Sequence, residues 1–358
     1  MLACQFLMAA LLLKTDAGNK AIGVIARIFN NLMAYAGEGV NFVFGGMQNS
    51  GEVTFFLAVL LPIIFISALI GILQHWKILG FLIKYIGLGL SKINGMGRLE
   101  SYNAVASAIL GQSEVFISVK KQLGILPEHR LYTLCTSAMS TVSMSIVGAY
   151  MVMLDPQYVV TALVLNLFGG FIMASLLNPY QVPPEEDILT VAEEKQSFFE
   201  MLSEYILDGF KVAVIVGAML VGFIALITLA NALFTALFGI SFQGTLGYLF
   251  APLAWLVGIP WHEAVPAGSI MATKIVSNEF VAMLDLSHDS AQFSERTTAI
   301  LSVFLVSFAN FSSIGIIVGA IKALDPRQGN CAARFGLKLL YGATLVSFLN
   351  ATVVSFFC

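Results

Sequence analysis

The sequence is poor in charge. Only 11% of its 358 residues are Asp, Glu, Lys or Arg, while 58% are hydrophobic. A soluble domain carries about a quarter charged residues, so this composition, with a mean hydropathy of +0.88, excludes an ordinary soluble fold. Cysteine is scarce too. Cys4, Cys135, Cys331 and Cys358 are scattered and form no CxxC pair. That spacing excludes a zinc ribbon or a disulfide framework, and the four read as small apolar packing residues. The formal net charge is −3 and no basic stretch interleaves with aromatics, so nucleic acid is not an expected partner. There is no Walker motif, which leaves ATP-driven pumping by this chain alone without support.

Enzyme-like strings break at the position that matters. His262-Glu263 opens an HExxH-like run, but Pro266 stands where the second His belongs. Gly111-Gln112-Ser113 resembles a nucleophile elbow, but Val115 replaces its closing Gly. His75, His129 and His288 fall at connectors. No nucleophile–base pair or metal cluster is found, so no enzyme activity, cofactor or metal site is expected.

What is present is a series of long apolar runs. Residues 55–73, 159–177, 212–237 and 298–320 are each long enough to cross about 30 Å of hydrocarbon. The expected fold is an all-α polytopic membrane protein. Spans are expected over 53–73, 130–154, 156–177, 209–237, 297–324 and 332–357. Residues 15–46 read as an amphipathic interfacial connector. Residues 1–13 are apolar but lack a basic n-region, which argues against a signal peptide. They are short for a span and read as the tail of a helix whose beginning lies outside this sequence.

The chain repeats itself. Ile146-Val147-Gly148-Ala149 precedes Leu154-Asp155-Pro156, and Ile317-Val318-Gly319-Ala320 precedes Leu324-Asp325-Pro326. Ser175-Leu176-Leu177-Asn178 is echoed by Ser347-Phe348-Leu349-Asn350. Upstream of each copy lies a polar-interrupted segment, centred on Glu114 or Glu279. All offsets are close to about 170 residues, which reads as a duplicated unit. Each unit reads as a re-entrant hairpin plus two spanning helices. One further span between them inverts the second unit, an arrangement typical of secondary transporters. The expected organisation is N-terminal scaffold helices over 1–94, a first transport repeat over 95–178, an acidic linker and scaffold helix over 179–240, and a second transport repeat over 241–358.

Orientation follows from the basic residues. Lys77, Lys84, Lys92, Arg98, Lys120, Lys121 and Arg130 cluster in one set of connectors, and Lys322, Arg327 and Arg334 in another. Both sets fall on one side of the membrane, the cytoplasmic one by the positive-inside rule, which places the C-terminus in the periplasm.

Ionisable groups at membrane depth are costly and are functional candidates by default. Glu114 and Glu279 occupy equivalent positions in the two units, each where small or polar residues interrupt a helix. Interrupted backbone is tolerated there only if it is buried in protein or lines a cavity. The alternative is an interhelical hydrogen bond that merely holds the bundle together. The hydroxyl run Ser140-Thr141-Val142-Ser143-Met144-Ser145 and its counterpart Phe308-Ala309-Asn310-Phe311-Ser312-Ser313 form a second layer. On a helix, Asn310 and Ser313 would share a face. Phe308 could stack on a planar ligand or simply pack. Carboxylates, amides such as Gln112 and Asn310, and an aromatic ring suit a neutral, polar, partly aromatic solute. A phosphate would meet two acids and no Arg clamp.

These stretches resemble a known family. Gly111-Gln112-Ser113-Glu114, residues 140–150, Ser277-Asn278-Glu279-Phe280-Val281-Ala282 and residues 308–315 are similar to the concentrative nucleoside transporter family. The bacterial proton-coupled nucleoside permease branch is especially close, and the resemblance runs from Gly37 to the end. It implies a multi-pass homotrimer in a bacterial inner membrane, importing nucleosides by symport. One transport domain per protomer would move like an elevator against a scaffold. It further implies that Gln112, Ser113 and Glu114 hold the nucleobase with Ile146 beside it. Glu279, Asn310 and Ser313 would hold the ribose, with Phe308 adjacent.

Two departures stand out. The resemblance leaves the family's first spanning segment without a counterpart in this sequence. Sodium-coupled relatives carry Asn four residues before the hairpin Gly, where this chain has Ser107, and Thr141 replaces a serine ligand. Fewer strong oxygen ligands weaken a sodium site. Proton coupling is therefore expected, with Glu279 or Glu114 as the carrier. Sodium coupling, or a carrier or channel for another small polar solute, are the alternatives.

Overall fold

The computed structural model describes residues 1–45, 54–190 and 196–358. Residue 46 of the expected connector, residue 53 of the first expected span and part of the acidic stretch lie outside them. Among the described residues the protein is helical, with no strand.

Helix α1 (Leu2–Lys14) is followed after Thr15 by α2 (Asp16–Phe44). Thr15 starts the second helix by accepting a hydrogen bond from the Gly18 amide at 3.0 Å, the standard use of a hydroxyl at a helix N-cap. A π-turn over Phe56–Leu60 leads past Pro62 into α3 (Ile63–His75), and α4 (Ile78–Asn94) completes this part.

The first unit follows. Its hairpin has one arm in α5 (Arg98–Leu110) and a return in α6 (Glu114–Ser118) and α7 (Lys120–Leu123). Then come α8 (Glu128–Ser140), α9 (Met144–Met153) and α10 (Pro156–Leu177). A 41-residue helix, α11 (Phe198–Phe238), separates the units. Its start is fixed by a reciprocal capping box between Ser197 and Glu200, and Gly239 ends it with a φ of 74°. The second unit contains α12 (Phe242–Leu256), α13 (Trp261–Val276), α14 (Glu279–Asp289), α15 (Glu295–Leu305), α16 (Phe311–Leu324), α17 (Pro326–Arg334) and α18 (Gly336–Ser355).

Among the described residues, five helical stretches are long and apolar enough to cross a membrane: Phe56–His75, Glu128–Met153, Pro156–Leu177, Phe198–Phe238 and Gly336–Ser355. The pair α12 and α13 qualifies together but bends by 116° between them. These two helices approach closely, because a Cβ on Gly268 would stand 2.7 Å from the Gly247 carbonyl oxygen.

The repeated Leu-Asp-Pro acquires a physical meaning. In both units the Asp is a helix N-cap and the Pro is the first helical residue. Pro suits that place because its missing N–H would be unpaired there anyway. Asp155 accepts from the Gln157 amide at 2.7 Å, and Asp325 from the amides of Arg327 and Gln328 at 2.9 and 3.1 Å.

Three sequence expectations need correction. The span expected over 130–154 is found as Glu128–Met153, but extended backbone at residues 141–143 divides it into two helices, and the span over 297–324 is broken at residues 306–310. Hydroxyls in those stretches therefore do not project from continuous helix faces. Asn310 and Ser313 do not share a face. Asn310 is the N-cap of α16, and its Oδ1 accepts from the Ser313 amide at 2.9 Å. In each case an amide or hydroxyl side chain at the break satisfies backbone that a helix would have satisfied itself.

Packing brings the halves together. Helix α1 lies against α10 and α18, with Gln5 donating both to the Leu165 carbonyl at 3.0 Å and to Asn350 Oδ1 at 2.7 Å. On the far side of the site, α11 packs along α3, and Gly209 lets it approach the Ile64 backbone. The stretch after α10 is tied to the first hairpin. Buried Arg130 meets buried Glu100 in a two-pronged ion pair at 2.6 and 3.0 Å. Tyr180 donates to the same carboxylate at 3.1 Å, and Gln122 bonds the backbone of Ile188 and Thr190.

Candidate functional site

The two hairpin tips and the two helix breaks converge. The first tip turns at Gly111, whose φ of 115° lies in the left-handed region that favours glycine. A Cβ there would sit 2.8 Å from Glu114 Oε2 and 3.2 Å from the Ser143 side chain, so only glycine lets the tip close on the break. The breaks are joined directly, since the Phe308 amide donates to the Thr141 carbonyl at 3.1 Å. Each unit thus contributes one tip and one break to a common centre.

A cavity of about 210 Å³ lies at that centre. Gln112, Ser113, Glu114 and Ile146 line it from the first unit, and Glu279, Phe308, Asn310 and Ser313 from the second. Every residue singled out from the sequence as a site candidate is therefore on one wall or another of a single cavity. The exceptions are Ser107 and Thr141, the residues at the sodium-site positions, which do not line it. Both hydroxyls donate to their own helices, Ser107 to the Asn103 carbonyl at 2.6 Å and Thr141 to the Ser137 carbonyl at 3.2 Å.

The two carboxylates are held differently. Glu114 and Glu279 each occupy the first position of the returning hairpin arm. Glu114 accepts from the hydroxyl of its neighbour Ser113 at 2.9 Å. Glu279 is 5% exposed, and both of its oxygens are engaged. Tyr150 donates its hydroxyl to Oε1 at 2.8 Å, and Asn310 donates its amide to Oε2 at 2.9 Å. Asn310 cannot turn over, because its Oδ1 already accepts from the Ser313 amide and, at 2.6 Å, from the Ser312 hydroxyl. Asn278 caps α14 by accepting from the Val281 amide at 3.0 Å. Gln112 Oε1 is buried with no hydrogen-bond partner in the protein, and a buried unpaired acceptor is costly unless a ligand supplies a donor.

Sequence reasoning missed part of this site. Val212, Ile215, Val216 and Met219 on α11 form its apolar wall. Their spacing is that of a helix face, but every other face of α11 is apolar too, so nothing distinguished the cavity side from the lipid side. Phe280 lies in the stretch 277–282, where the sequence alone assigns it no role. Tyr150 lies in the stretch 140–150, but its bond to Glu279 spans 129 residues of sequence.

Comparison with known proteins agrees with this geometry. Residues 1–47 match a model described as the N-terminus of Na+ dependent nucleoside transporters, and residues 158–355 match the model for their C-terminus. Residues 56–157 match a model described as nucleoside recognition. The purine nucleoside transport protein NupG of Bacillus subtilis is 37% identical, over 100% of this chain and 91% of that protein. The nucleoside permease NupC of Helicobacter pylori is 30% identical over 99% of this chain and 89% of that protein. Among solved structures, CNTnw in an inward-facing substrate-bound state superposes with a TM-score of 0.94 at 30% identity, covering 99% of this chain and 91% of that one. A double variant of CNTnw in an outward-facing state also gives 0.94, at 31% identity and with 99% and 89% covered. These relatives are transporters rather than enzymes, and the chain belongs to the concentrative nucleoside transporter family, in its bacterial branch.

Proposed function

We propose that this protein imports nucleosides across a bacterial inner membrane by symport, with the proton as the coupling ion. The observation that carries the reading is the meeting of Glu114 and Glu279, from two repeated units, in one cavity with Gln112, Asn310 and Phe308. The unpaired Gln112 oxygen suits a donor on a nucleobase edge, beside Ser113, Glu114 and Ile146. Glu279 and Asn310, with Ser313 at the start of α16, suit the vicinal hydroxyls of a ribose. Phe308 offers an aromatic surface beside them.

Units 95–178 and 241–358 form the moving part in this reading, and α3 and α11 belong to the scaffold it slides against. The exposed apolar side chains of α11, Leu226, Leu229 and Leu233 among them, suit lipid or a neighbouring protomer of a homotrimer. Proton coupling draws on the carboxylates at the centre. It draws also on Ser107 and Thr141, whose hydroxyl protons point at backbone and which offer fewer strong ligands than a sodium site needs.

Uptake of labelled uridine and adenosine into proteoliposomes, with proton and sodium gradients imposed separately, tests all parts at once. Accumulation driven by the pH gradient alone is expected. Accumulation that follows sodium and ignores a collapsed pH gradient refutes proton coupling. Flux without accumulation under either gradient refutes symport and leaves a channel. Failure of nucleosides to compete, while amino acids or carboxylates do, refutes the substrate.

A further inference from the structure

One ionisable side chain at membrane depth takes no part in the site as described. Lys274 lies on α13, one turn before the second hairpin tip, and is 0% exposed. Its three hydrogen bonds go to neutral oxygens: the Phe304 carbonyl at 2.7 Å, Ser307 Oγ at 2.7 Å and Ser347 Oγ at 2.9 Å. It also lies over the Phe304 ring, 4.6 Å from its centre. An ammonium has three hydrogens to give and no lone pair to satisfy. Here it finds three acceptors, and the remaining hydroxyl protons are absorbed by the Ser307–Ser347 contact at 2.9 Å and the Ala343 carbonyl at 3.4 Å. The arrangement is closed around the charged form.

The position has a reason. Helix α15 ends at Leu305 because the chain breaks at residues 306–310, which leaves its last carbonyls without helical partners. Lys274 covers the Phe304 carbonyl, and a cation is favoured at a helix C-terminus. Asn166 covers the next exposed oxygen by donating to the Val306 carbonyl at 2.7 Å. Asn166 is itself fixed by Asn350 at 2.7 Å. The break is therefore clamped from behind at residues 304, 306 and 307. Its front carries Phe308 and Asn310, which face the cavity. Among the described residues, the first unit shows no lysine in such a place. Counting back from Glu114 as Lys274 counts back from Glu279 gives Ile109, and Thr141 there caps its own helix.

We propose that Lys274 is a positioning residue for the ribose side of the site, a built-in cation that sets the place of Asn310 and, through it, of Glu279. It touches neither cavity nor substrate; it acts through Ser307 and the end of α15, and its charge also acts on the Glu279 carboxylate. The inference rests on the functional reading above, and its test separates the two.

The measurement is nucleoside binding to the purified full-length protein by calorimetry. The probes are adenosine or uridine, whichever the wild type binds more tightly, and the 2′,3′-dideoxy analogue of the same nucleoside. Lys274→Met keeps an unbranched side chain one atom shorter and removes the charge. It is expected to weaken binding of the nucleoside by about tenfold while changing binding of the dideoxy analogue by less than about threefold. A merely structural role would weaken both alike, and that result, or no change in either, overturns the proposal. Should Lys274→Met fail to fold, Ser307→Ala decides in its place, because it keeps the cation and loosens one attachment. A selective loss of about threefold for the nucleoside supports the proposal, and an equal loss or none overturns it. A wild type that binds no nucleoside, or binds both probes equally, overturns the functional reading itself and this inference with it.

Discussion

Glu279→Gln is the most informative single change, because the surroundings dictate how the new amide must sit. Its nitrogen has to face either Asn310 Nδ2, which is a donor, or the Tyr150 hydroxyl, which can accept as well as donate. Asn310 is held by Ser312 and Ser313 and cannot flip. The Gln oxygen is therefore expected toward Asn310 and the nitrogen toward Tyr150, with the frame intact. In the proposed reading, what is lost is the charge that strengthens bonds from ribose hydroxyls. A hydrogen bond to a charged group contributes about 1.5–3 kcal/mol and a neutral one about 0.5–1.5 kcal/mol. Two vicinal hydroxyls then lose about 2–3 kcal/mol together, a factor of about 30–150 in affinity. Calorimetry should show that loss, and proteoliposomes should show accumulation abolished or severely reduced, at unchanged protein level and with little change in melting temperature. Wild-type uptake by this variant would remove Glu279 from the site. A large fall in melting temperature would show that the carboxylate serves the fold instead. Tyr150→Phe is the companion. It leaves Glu279 Oε1 unpaired in a buried place and should lower stability by about 1–3 kcal/mol.

Further outcomes are expected elsewhere. Gly111→Ala would force a Cβ into the left-handed region against Glu114 and Ser143, costing about 1–3 kcal/mol of backbone strain, and substrate affinity measured by calorimetry should fall. Arg130→Met leaves Glu100, 0% exposed, as an uncompensated buried charge. Breaking such a pair costs about 3–5 kcal/mol, so a thermal melt in detergent should drop sharply, while Lys211→Ala at the exposed Lys211–Asp208 pair should leave it unchanged. Asp325 is held below the usual carboxylate range by the Gln328 and Arg327 amides and the Arg327 charge. Its contribution to stability is complete above the unfolded value, near about pH 4, and disappears as pH falls through its own lower one. Asp325→Ala should therefore show a melting temperature that depends less on pH across that acid window.

Some features were legible in the sequence because they are local. A span of apolar residues is visible from composition alone, since the bilayer core demands it wherever the segment sits. The duplication was visible because Leu-Asp-Pro is a self-contained helix start. Glu114, Glu279 and Asn310 stood out because a polar group in an apolar run is an exception that needs a partner. The breaks at residues 141–143 and 306–310 were less legible. Both lie inside expected spans, since neither 141–143 nor 306–310 contains Gly or Pro to announce an interruption. The chain stops being helical there because Asn166 and Lys274 supply from other helices the hydrogen bonds that the helix gives up.

By itself, then, the sequence determined that the chain is a membrane protein, that it is built twice, and which polar side chains are out of place in hydrocarbon. Each of these is a property of a residue and its near neighbours. The tertiary structure alone decided that the two units meet in one cavity, that Tyr150 holds Glu279, that one face of α11 closes the site, and that Lys274 stands behind the break. Those facts depend on partners far apart in sequence, 30 residues for Lys274 and Phe304 and 129 for Tyr150 and Glu279 among them, and no periodicity along the chain encodes which distant donor will reach which acceptor.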